Sequence, residues 1–247
     1  MSESNEPMRR ETYVEHDVVY AAAGASAEPD LLRFPPQGST PFEHVLRLGS
    51  GPERFLTASN TLMTWGAHRA VGVEVTELEQ GDGGHYAGVV FDEAGAPEPA
   101  PEAEVRYGPD GEAFLTAGTT ASLSWPGGKM NRKMRVVYVV DESRRIGFAL
   151  GSADDEGAIG ETAYLIEHRS DDTVWAIARG FHWATSNGLF GKSARALIRL
   201  AERDALQQLS VLAPGAVTAA NVDEDRGSGD ESAPEADPGA AADPRAE

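Results

Sequence analysis

The residues of this sequence that could do chemistry are histidines, tryptophans and carboxylates, and their tightest grouping is Trp65-Gly66-Ala67-His68. An indole and an imidazole at this close spacing, placed where a helix gives way to a strand, can line one end of a pocket. The simpler alternative is a tryptophan that anchors the helix to the sheet, with His68 as its polar edge. Both alternatives place the pair at the boundary between a helix and a sheet.

The histidines do not show the spacing of a helical metal site. No two of the six are separated by four residues, which would place two zinc ligands on one helix face. His168 and His182 could instead face each other across a hairpin, with Glu161, Glu167 or Asp141 beside them. Two histidines on neighbouring strands more often mark a half-polar sheet face than a metal site. We therefore expect no bound metal and no cofactor.

Nucleotide binding and acyl transfer are both disfavoured. Gly191-Lys192-Ser193 stands between a strand and a helix, where a phosphate-binding loop would lie. The first glycine of such a loop is replaced by Ser186, and Leu189 and Phe190 fill positions that should be bare backbone. The sequence also has no cysteine and no Gly-x-Ser-x-Gly elbow, so covalent acyl chemistry has no candidate nucleophile.

The elements that would position these side chains are clearest in the second half of the chain. Met134–Val140 is β-branched and aromatic almost throughout, and apolar residues alternate over 146–150 after a short turn. Thr162–His168 and Thr173–Trp183 repeat this arrangement. Because each connection is far shorter than the crossover that a parallel pair needs, we predict four consecutive antiparallel strands.

The last of these strands has two unlike faces, because successive strand residues point to opposite sides. Small residues and His182 share one side, namely Val174, Ala176, Ala178 and Gly180. Large apolar residues and Arg179 share the other, namely Trp175, Ile177, Phe181 and Trp183. A bulky element must approach the small face. The helix predicted over 192–212 carries a suitable apolar stripe of Ala194, Leu197, Ile198, Ala201, Ala205, Leu209 and Leu212.

The first half of the chain predicts shorter elements. Phe42, Val45 and Leu46 indicate a short helical turn. Pro52 suits the first position of a helix that would bury Phe55, Ala58, Leu62 and Met63. Alternating valines predict a strand over 71–75, and further strands are predicted at Tyr86–Asp92 and at Ala113–Ala117, the latter after the turn Pro109-Asp110-Gly111.

Charge and composition set the boundaries of the domain. The chain has 40 acidic against 21 basic residues, and residues 218–247 hold little besides acids, Gly, Ser, Pro and Ala. Such segments bury too little apolar surface to offset their ordering entropy. We predict disorder over 1–12 and 214–247, and one domain over 13–213 with an exposed loop at 93–104.

The same composition bears on partners and location. The net charge of -19 disfavours nucleic acid and anionic membrane surfaces as partners. No apolar stretch approaches the ~20 residues of a membrane span, so we expect no membrane insertion. Cysteine is absent, and we expect a cytoplasmic protein whose protein partner the sequence leaves unspecified.

Several of these segments together resemble a known family. They are Leu48-Gly49-Ser50-Gly51, Trp65-Gly66-Ala67-His68 with Gly72-Val73-Glu74-Val75, Arg135–Glu142 with Gly147-Phe148-Ala149, Gly160-Glu161 and Thr173-Val174-Trp175. Over Tyr20 to Leu212, with gaps, the sequence is similar to the UPF0548 (DUF1990) family of bacteria and plants, a domain of unknown function. It departs from that family where Asp154-Asp155-Glu156-Gly157 replaces a Gly-His-Pro-Glu stretch, and in a longer segment before the tyrosine-centred strand.

The resemblance implies a compact antiparallel sheet with a C-terminal helix, similar to the helix-grip (START-like) binders of hydrophobic ligands, and it implies no established activity. Sequence and resemblance together predict an α+β domain with short N-terminal helices and a long C-terminal helix packed on the sheet. We expect a binder of a small apolar ligand, in a cavity of roughly 300 Å3 or more between the sheet and that helix. The candidate lining residues are Trp65, His68, Tyr138, Glu161, Tyr164, Arg179 and His182.

Two alternatives stay open. One is a cofactor-independent enzyme of hydrolase or cyclase type in the same cavity, working through Glu161, Arg179, His182 or His68. The other is an interaction protein whose acidic tail recruits a basic partner.

Overall fold

The structure is a computed structural model that describes residues 18–81, 105–126, 131–184 and 191–216. The strand predicted at Tyr86–Asp92, the loop at 93–104, the segment 1–12 and the tail from residue 217 onward lie outside the described residues. In chain order the elements are a single 3-10 turn (Ala25–Ala27), β1 (Thr40–Ser50), α1 (Pro52–Met63), α2 (Gly66–Ala70), β2 (Glu74–Glu79), β3 (Thr120–Ser124), β4 (Asn131–Glu142), β5 (Arg145–Ser152), β6 (Ala158–His168), β7 (Thr173–Ala184) and α3 (Gly191–Ser210).

Within the described residues, seven strands form one sheet in the order β1-β7-β6-β5-β4-β3-β2, and every neighbouring pair is antiparallel. The strands from β2 to β7 lie in chain order, whereas β1 occupies the edge beyond β7. With α1 and α2 between β1 and β2, and with α3 after β7, this is the helix-grip arrangement. The predicted fold class, an α+β domain with a long C-terminal helix on an antiparallel sheet, is confirmed.

The start of α1 follows from two residues. Gly51 has a φ of 91°, a left-handed conformation that glycine adopts without a steric penalty, and it turns the chain out of β1. Pro52 then occupies the first helical position, where its missing N–H costs no hydrogen bond. The predicted buried face of this helix is confirmed, because Phe55, Ala58, Leu62 and Met63 are all buried.

The sheet is covered by different elements on its two faces. Val174, Ala176 and Ala178 of β7 belong to a core that includes Ala205 and Leu209 of α3, so the small face of β7 meets the helix as predicted. The opposite face meets the N-terminal segment, which we define as residues 18–39. There the ring of Tyr20 contacts the rings of Phe181 and Trp183 at centroid distances of 6.0 Å each.

Three predictions about local structure need correction, and one strand was not predicted. Phe42, Val45 and Leu46 lie in β1 and not in a helical turn. From Phe42 to Leu48 exposed positions alternate with buried or partly buried ones, which is the period of a strand. Ala113–Ala117 forms only an isolated bridge from Ala113 to Tyr107. β2 begins at Glu74, since Val71 ends α2. β3 was not predicted, because its sequence Thr-Ala-Ser-Leu-Ser has little strand character.

Candidate functional site

A cavity lies between the sheet and α3, and we call it the sheet–helix cavity. Its volume is about 50 Å3, much smaller than the ligand pocket that we expected from the sequence. This is the volume of a few water molecules. The sheet contributes apolar side chains such as Leu123, Met134 and Leu150, and α3 contributes Leu197 and Ala201. The polar side chains that share the lining include His68, Arg132, Tyr164, His182, Asp204 and Gln208.

His68 reaches the cavity from α2, a helix that begins after Trp65. Trp65 has a left-handed backbone (φ 62°) and is buried, and its indole packs edge-on against the His68 ring at 5.1 Å. Phe148 and Tyr164 contact the same imidazole at 6.2 and 5.6 Å. Burial lowers the pKa of His68 to about 3, with a smaller contribution from the charge of Arg69. The imidazole is therefore neutral at physiological pH and both ring nitrogens are available for hydrogen bonds.

His182 reaches the cavity from β7. Its ring stacks on Phe42 of β1, with centroids 5.4 Å apart and an interplanar angle of 9°. Gly160 lies opposite it on β6, where a Cβ would come within 2.8 Å of His182 Cδ2. Burial lowers the pKa of His182 to about 4, and the positive charge of Arg132 adds to the effect. This imidazole is neutral as well.

Asp204 and Gln208 face the cavity from α3, and sequence reasoning did not single them out. They continue the line of Leu197 and Ala201 at helical spacing, so both lie on the buried side of the helix. Burial raises the pKa of Asp204 to about 6, and the nearby positive charge of Arg203 offsets part of that rise. The spacing was the available signal, but a polar residue within an apolar stripe looks the same in sequence as one at its exposed margin.

Arg132 lines the cavity and bonds to three protein groups. Its Nε lies 2.7 Å from Asp154 Oδ1, its Nη1 donates to the Ala158 carbonyl at 3.0 Å, and its Nη2 donates to Ser152 Oγ at 3.1 Å. Asp154 belongs to the Asp154-Asp155-Glu156-Gly157 stretch, which replaces the histidine-containing stretch of the resembled family. In this chain that stretch holds a buried cation in place.

Six buried polar atoms in the lining have no hydrogen-bond partner within the described residues. They are His68 Nδ1 and Nε2, Trp125 Nε1, His182 Nδ1, Asp204 Oδ2 and Gln208 Oε1. An unpartnered buried polar atom costs about 1–3 kcal/mol, so such atoms are normally satisfied by ordered water or by a ligand. Their concentration around one small cavity makes it the candidate site of the described residues.

The other predicted site residues lie on the opposite face of the sheet. Glu161 is fully buried there, and its carboxylate accepts hydrogen bonds from the Tyr20 hydroxyl (2.8 Å), the Gly24 N–H (2.8 Å), the Ser26 N–H (3.0 Å) and the Ser26 hydroxyl. Tyr138 shares a hydrogen bond of 2.8 Å with the hydroxyl of Ser26. Arg179 donates to the Glu28 carbonyl at 2.6 Å. This group fastens the N-terminal segment to the sheet.

The predicted site is therefore divided by the sheet. His68, Tyr164 and His182 line the sheet–helix cavity, and Trp65 packs behind His68. Tyr138, Glu161 and Arg179 contact the N-terminal segment instead. Glu161 pairs with Phe181 across the β6–β7 ladder while Gly160 pairs with His182, so Glu161 and His182 point to opposite sides.

The pairing of His168 with His182 that was weighed for a metal site does not occur. His168 lies opposite Val174 at one end of the β6–β7 hairpin, and His182 lies near the other end. Within the described residues, no three His, Asp or Glu side chains group closely enough to hold a metal ion. None of the helices in those same ranges has the length and apolar character that a bilayer crossing requires.

No curated protein matches the sequence. Solved structures show limited similarity. A hypothetical protein of Helicobacter pylori is 10% identical over 74% of this chain and 91% of its own, with a TM-score of 0.42. Ara h 8.0201 is 9% identical over 71% of this chain and 98% of its own, with a TM-score of 0.37. A norcoclaurine synthase of Thalictrum flavum is 13% identical over 76% of this chain and 96% of its own, with a TM-score of 0.39. Similarity at this level does not bear on function.

A family comparison gives a more specific result. Residues 100–208 match the family described as Domain of unknown function (DUF1990). The matched range runs from before β3 to the last turns of α3, and it contains Arg132, Tyr164, His182, Asp204 and Gln208 of the cavity lining. The chain thus resembles the DUF1990 family across the strands and the helix that build the sheet–helix cavity.

Proposed function

We propose that this protein binds a small molecule in the sheet–helix cavity. The observation that carries the proposal is the set of six buried polar atoms without partners around a single cavity. A protein that only needed a packed core would place apolar residues at these positions, since unpaired polar groups there cost free energy. Hydrogen bonds to a bound molecule would offset that cost.

The size and lining of the cavity limit the ligand. A volume of about 50 Å3 accommodates only a few non-hydrogen atoms, so the occupant is a very small molecule or the polar head of a larger one. Leucine, methionine and alanine side chains share the lining with the polar groups. A ligand that combines an apolar body with hydrogen-bonding groups fits this surface better than the purely apolar one expected from the sequence.

The experiment is native mass spectrometry of the full chain purified from its own host. Wild-type protein should carry an additional mass that is lost on denaturation. Ala201→Phe, which fills the cavity from α3, should lack that mass. Leu206→Phe adds an aromatic ring at an exposed position of the same helix and should keep it. Wild-type protein without any bound mass, or an Ala201→Phe variant that retains it, would contradict the proposal.

A second candidate function is acid–base catalysis in the same cavity without a cofactor. It is favoured by Asp204, whose buried carboxyl has its pKa raised to about 6, close to the pH at which it would work. Two neutral imidazoles, His68 and His182, line the same cavity. Glu161 and Arg179, which the sequence also suggested for this role, are engaged on the other face of the sheet.

Turnover separates the two candidates. If the bound molecule identified by mass spectrometry is converted by wild-type protein and not by Asp204→Asn, the cavity is an active site. If the molecule is recovered unchanged after incubation with wild-type protein, binding is the whole function.

A further inference from the structure

The chemistry of the ligand can be inferred from α3, and this inference rests on the proposed function. Asp204 and Gln208 are one helical turn apart and both face the sheet–helix cavity. Asp204 is 9% exposed and Gln208 is 2% exposed. The unpartnered atoms of both side chains, Asp204 Oδ2 and Gln208 Oε1, are oxygens that accept hydrogen bonds. The helix therefore presents two adjacent acceptors to the cavity.

No cation within the described residues is paired with Asp204. Arg132 is the basic residue of the lining, and its guanidinium is ion-paired with Asp154 and donates to the Ala158 carbonyl and to Ser152. Arg203 lies beside Asp204 in the sequence but on the exposed side of the helix. His68 and His182 are neutral, because burial disfavours their charged forms. Once Asp204 ionises, its carboxylate therefore has no ion-paired cation inside the cavity among the described residues, and the exposed charge of Arg203 offsets only part of the effect of burial.

We infer that the ligand presents a protonated amine to Asp204 and Gln208. An ammonium group supplies several N–H donors, enough for both acceptors on α3 and for a ring nitrogen of a neutral histidine. Its charge complements the carboxylate in a site of low dielectric constant, where such pairs are stronger than in water. A hydroxyl has one proton to donate and cannot serve both oxygens, and a carboxylate would be repelled.

Three probes with the same alkyl chain test this inference: n-butylamine, n-butanol and butyrate. Each is titrated into isotope-labelled full-length protein, and binding is followed by the shifts of backbone amide signals of α3 and β7. We expect n-butylamine to bind at least about tenfold more tightly than n-butanol at pH 8, and butyrate not to bind. Asp204→Asn keeps the shape of the side chain and should abolish the preference for the amine. Glu202→Gln removes a negative charge from a neighbouring position of the same helix and should preserve it.

Equal or tighter binding of n-butanol or butyrate would overturn the inference, and so would a preference for the amine that survives in Asp204→Asn. Absence of binding by all three probes would overturn it as well. The proposed function is judged separately by the mass that co-purifies with the protein. A co-purifying molecule without an amine would leave small-molecule binding intact and refute only the inferred class, whereas an empty protein would remove both.

Discussion

Glu161 of β6 accepts a hydrogen bond of 2.8 Å from the hydroxyl of Tyr20, which lies 141 residues earlier in the chain. The same carboxylate accepts from two backbone N–H groups and one hydroxyl of the N-terminal segment. A single buried carboxylate thus joins the N-terminal segment to the middle of the sheet. Because all of its partners are donors, its contribution depends on both carboxyl oxygens accepting hydrogen bonds.

Glu161→Gln should destabilise the protein by about 2 kcal/mol. The substitution keeps the shape of the side chain but replaces one acceptor oxygen with an NH2 group that faces other donors. Urea denaturation at pH 7 measures the effect. Glu167→Gln is the matched control on the same strand, where the carboxylate makes only half-exposed ion pairs of 3.5–3.6 Å and should change stability by no more than about 0.5 kcal/mol. Equal effects of the two substitutions would argue against a fastening role for Glu161.

Gly151→Ala should weaken the hydrogen bond between Tyr20 and Glu161 by displacing Tyr20. A Cβ at this position would lie 2.2 Å from the Tyr20 hydroxyl oxygen and 2.8 Å from Val137, so Tyr20 must move. We expect a loss of about 2 kcal/mol from Gly151→Ala and about 1 kcal/mol from Tyr20→Phe.

The double variant tests whether these two losses have one cause. Because both substitutions disturb the hydrogen bond between Tyr20 and Glu161, the combined loss should be smaller than the sum. Additive losses, measured by denaturation of all four proteins, would show that the two positions act independently.

Asp204→Asn should stabilise the protein above pH 6. The folded-state pKa of Asp204 is about 6 against an ordinary value of 3.8, so the folded protein holds a proton between these pH values that the unfolded chain has released. The resulting stability is present at low pH and is lost as pH rises through 6. Asparagine carries no charge, and its gain over wild type should be about 1–2 kcal/mol at pH 8 and should shrink toward pH 4. A gain in stability that is independent of pH would contradict the raised pKa of Asp204.

The two buried histidines should make the protein less stable in acid. Their folded-state pKa values, about 3 and about 4, lie below the ordinary value of 6.5, so the unfolded chain binds protons first as pH falls. Above pH 6.5 the histidines are neutral in both the folded and the unfolded state, so they cause no pH dependence there. As pH falls below 6.5, each histidine lowers the free energy of unfolding by up to about 1.4 kcal/mol per pH unit. Asp204 acts in the opposite direction over part of this range.

The histidine effect is best measured with Asp204 already replaced. Between pH 7 and pH 4, denaturation of Asp204→Asn should show the combined loss of unfolding free energy that both histidines cause. The double variant Asp204→Asn with His68→Leu should show about half of that loss. His168→Leu is the control, since His168 lies outside the cavity beside Asp172. An unchanged slope after removal of His68 would contradict the neutral, buried state of that residue.

Much of the fold could be predicted from the sequence, because local signals determine it. The strands β4 to β7 are joined by short turns, and β-branched and aromatic residues alternate along them. Because these turns are too short for the crossover of a parallel pair, the sequence predicts antiparallel pairing. The small face of β7 predicted its contact with α3. β1 was missed because its partner, β7, lies at the other end of the chain, and no local pattern reveals that pairing.

The site was harder to predict, because it depends on registers and bulges. Val136 and Tyr138 are two residues apart and would share a face in a regular strand, but a bulge between them turns Tyr138 toward the N-terminal segment. Glu161 and His182 were expected in one site, yet the β6–β7 register places them on opposite sides of the sheet. Asp204 and Gln208 were missed, since nothing in their residue types distinguishes a buried acceptor from a solvated one.

The position of β1 at the far edge has a consequence for how the protein is made. On the ribosome, β1 emerges early and has no partner until β7 has been synthesised, so the sheet cannot close before most of the chain is present. Such long-range pairing is also slow to form. Phe42, which stacks on His182, and Tyr20, which binds Glu161, must therefore wait for the last strands. A fragment limited to residues 100–208 would carry the carboxylate of Glu161 without any of its donors, and we expect such a fragment to fail to fold by itself.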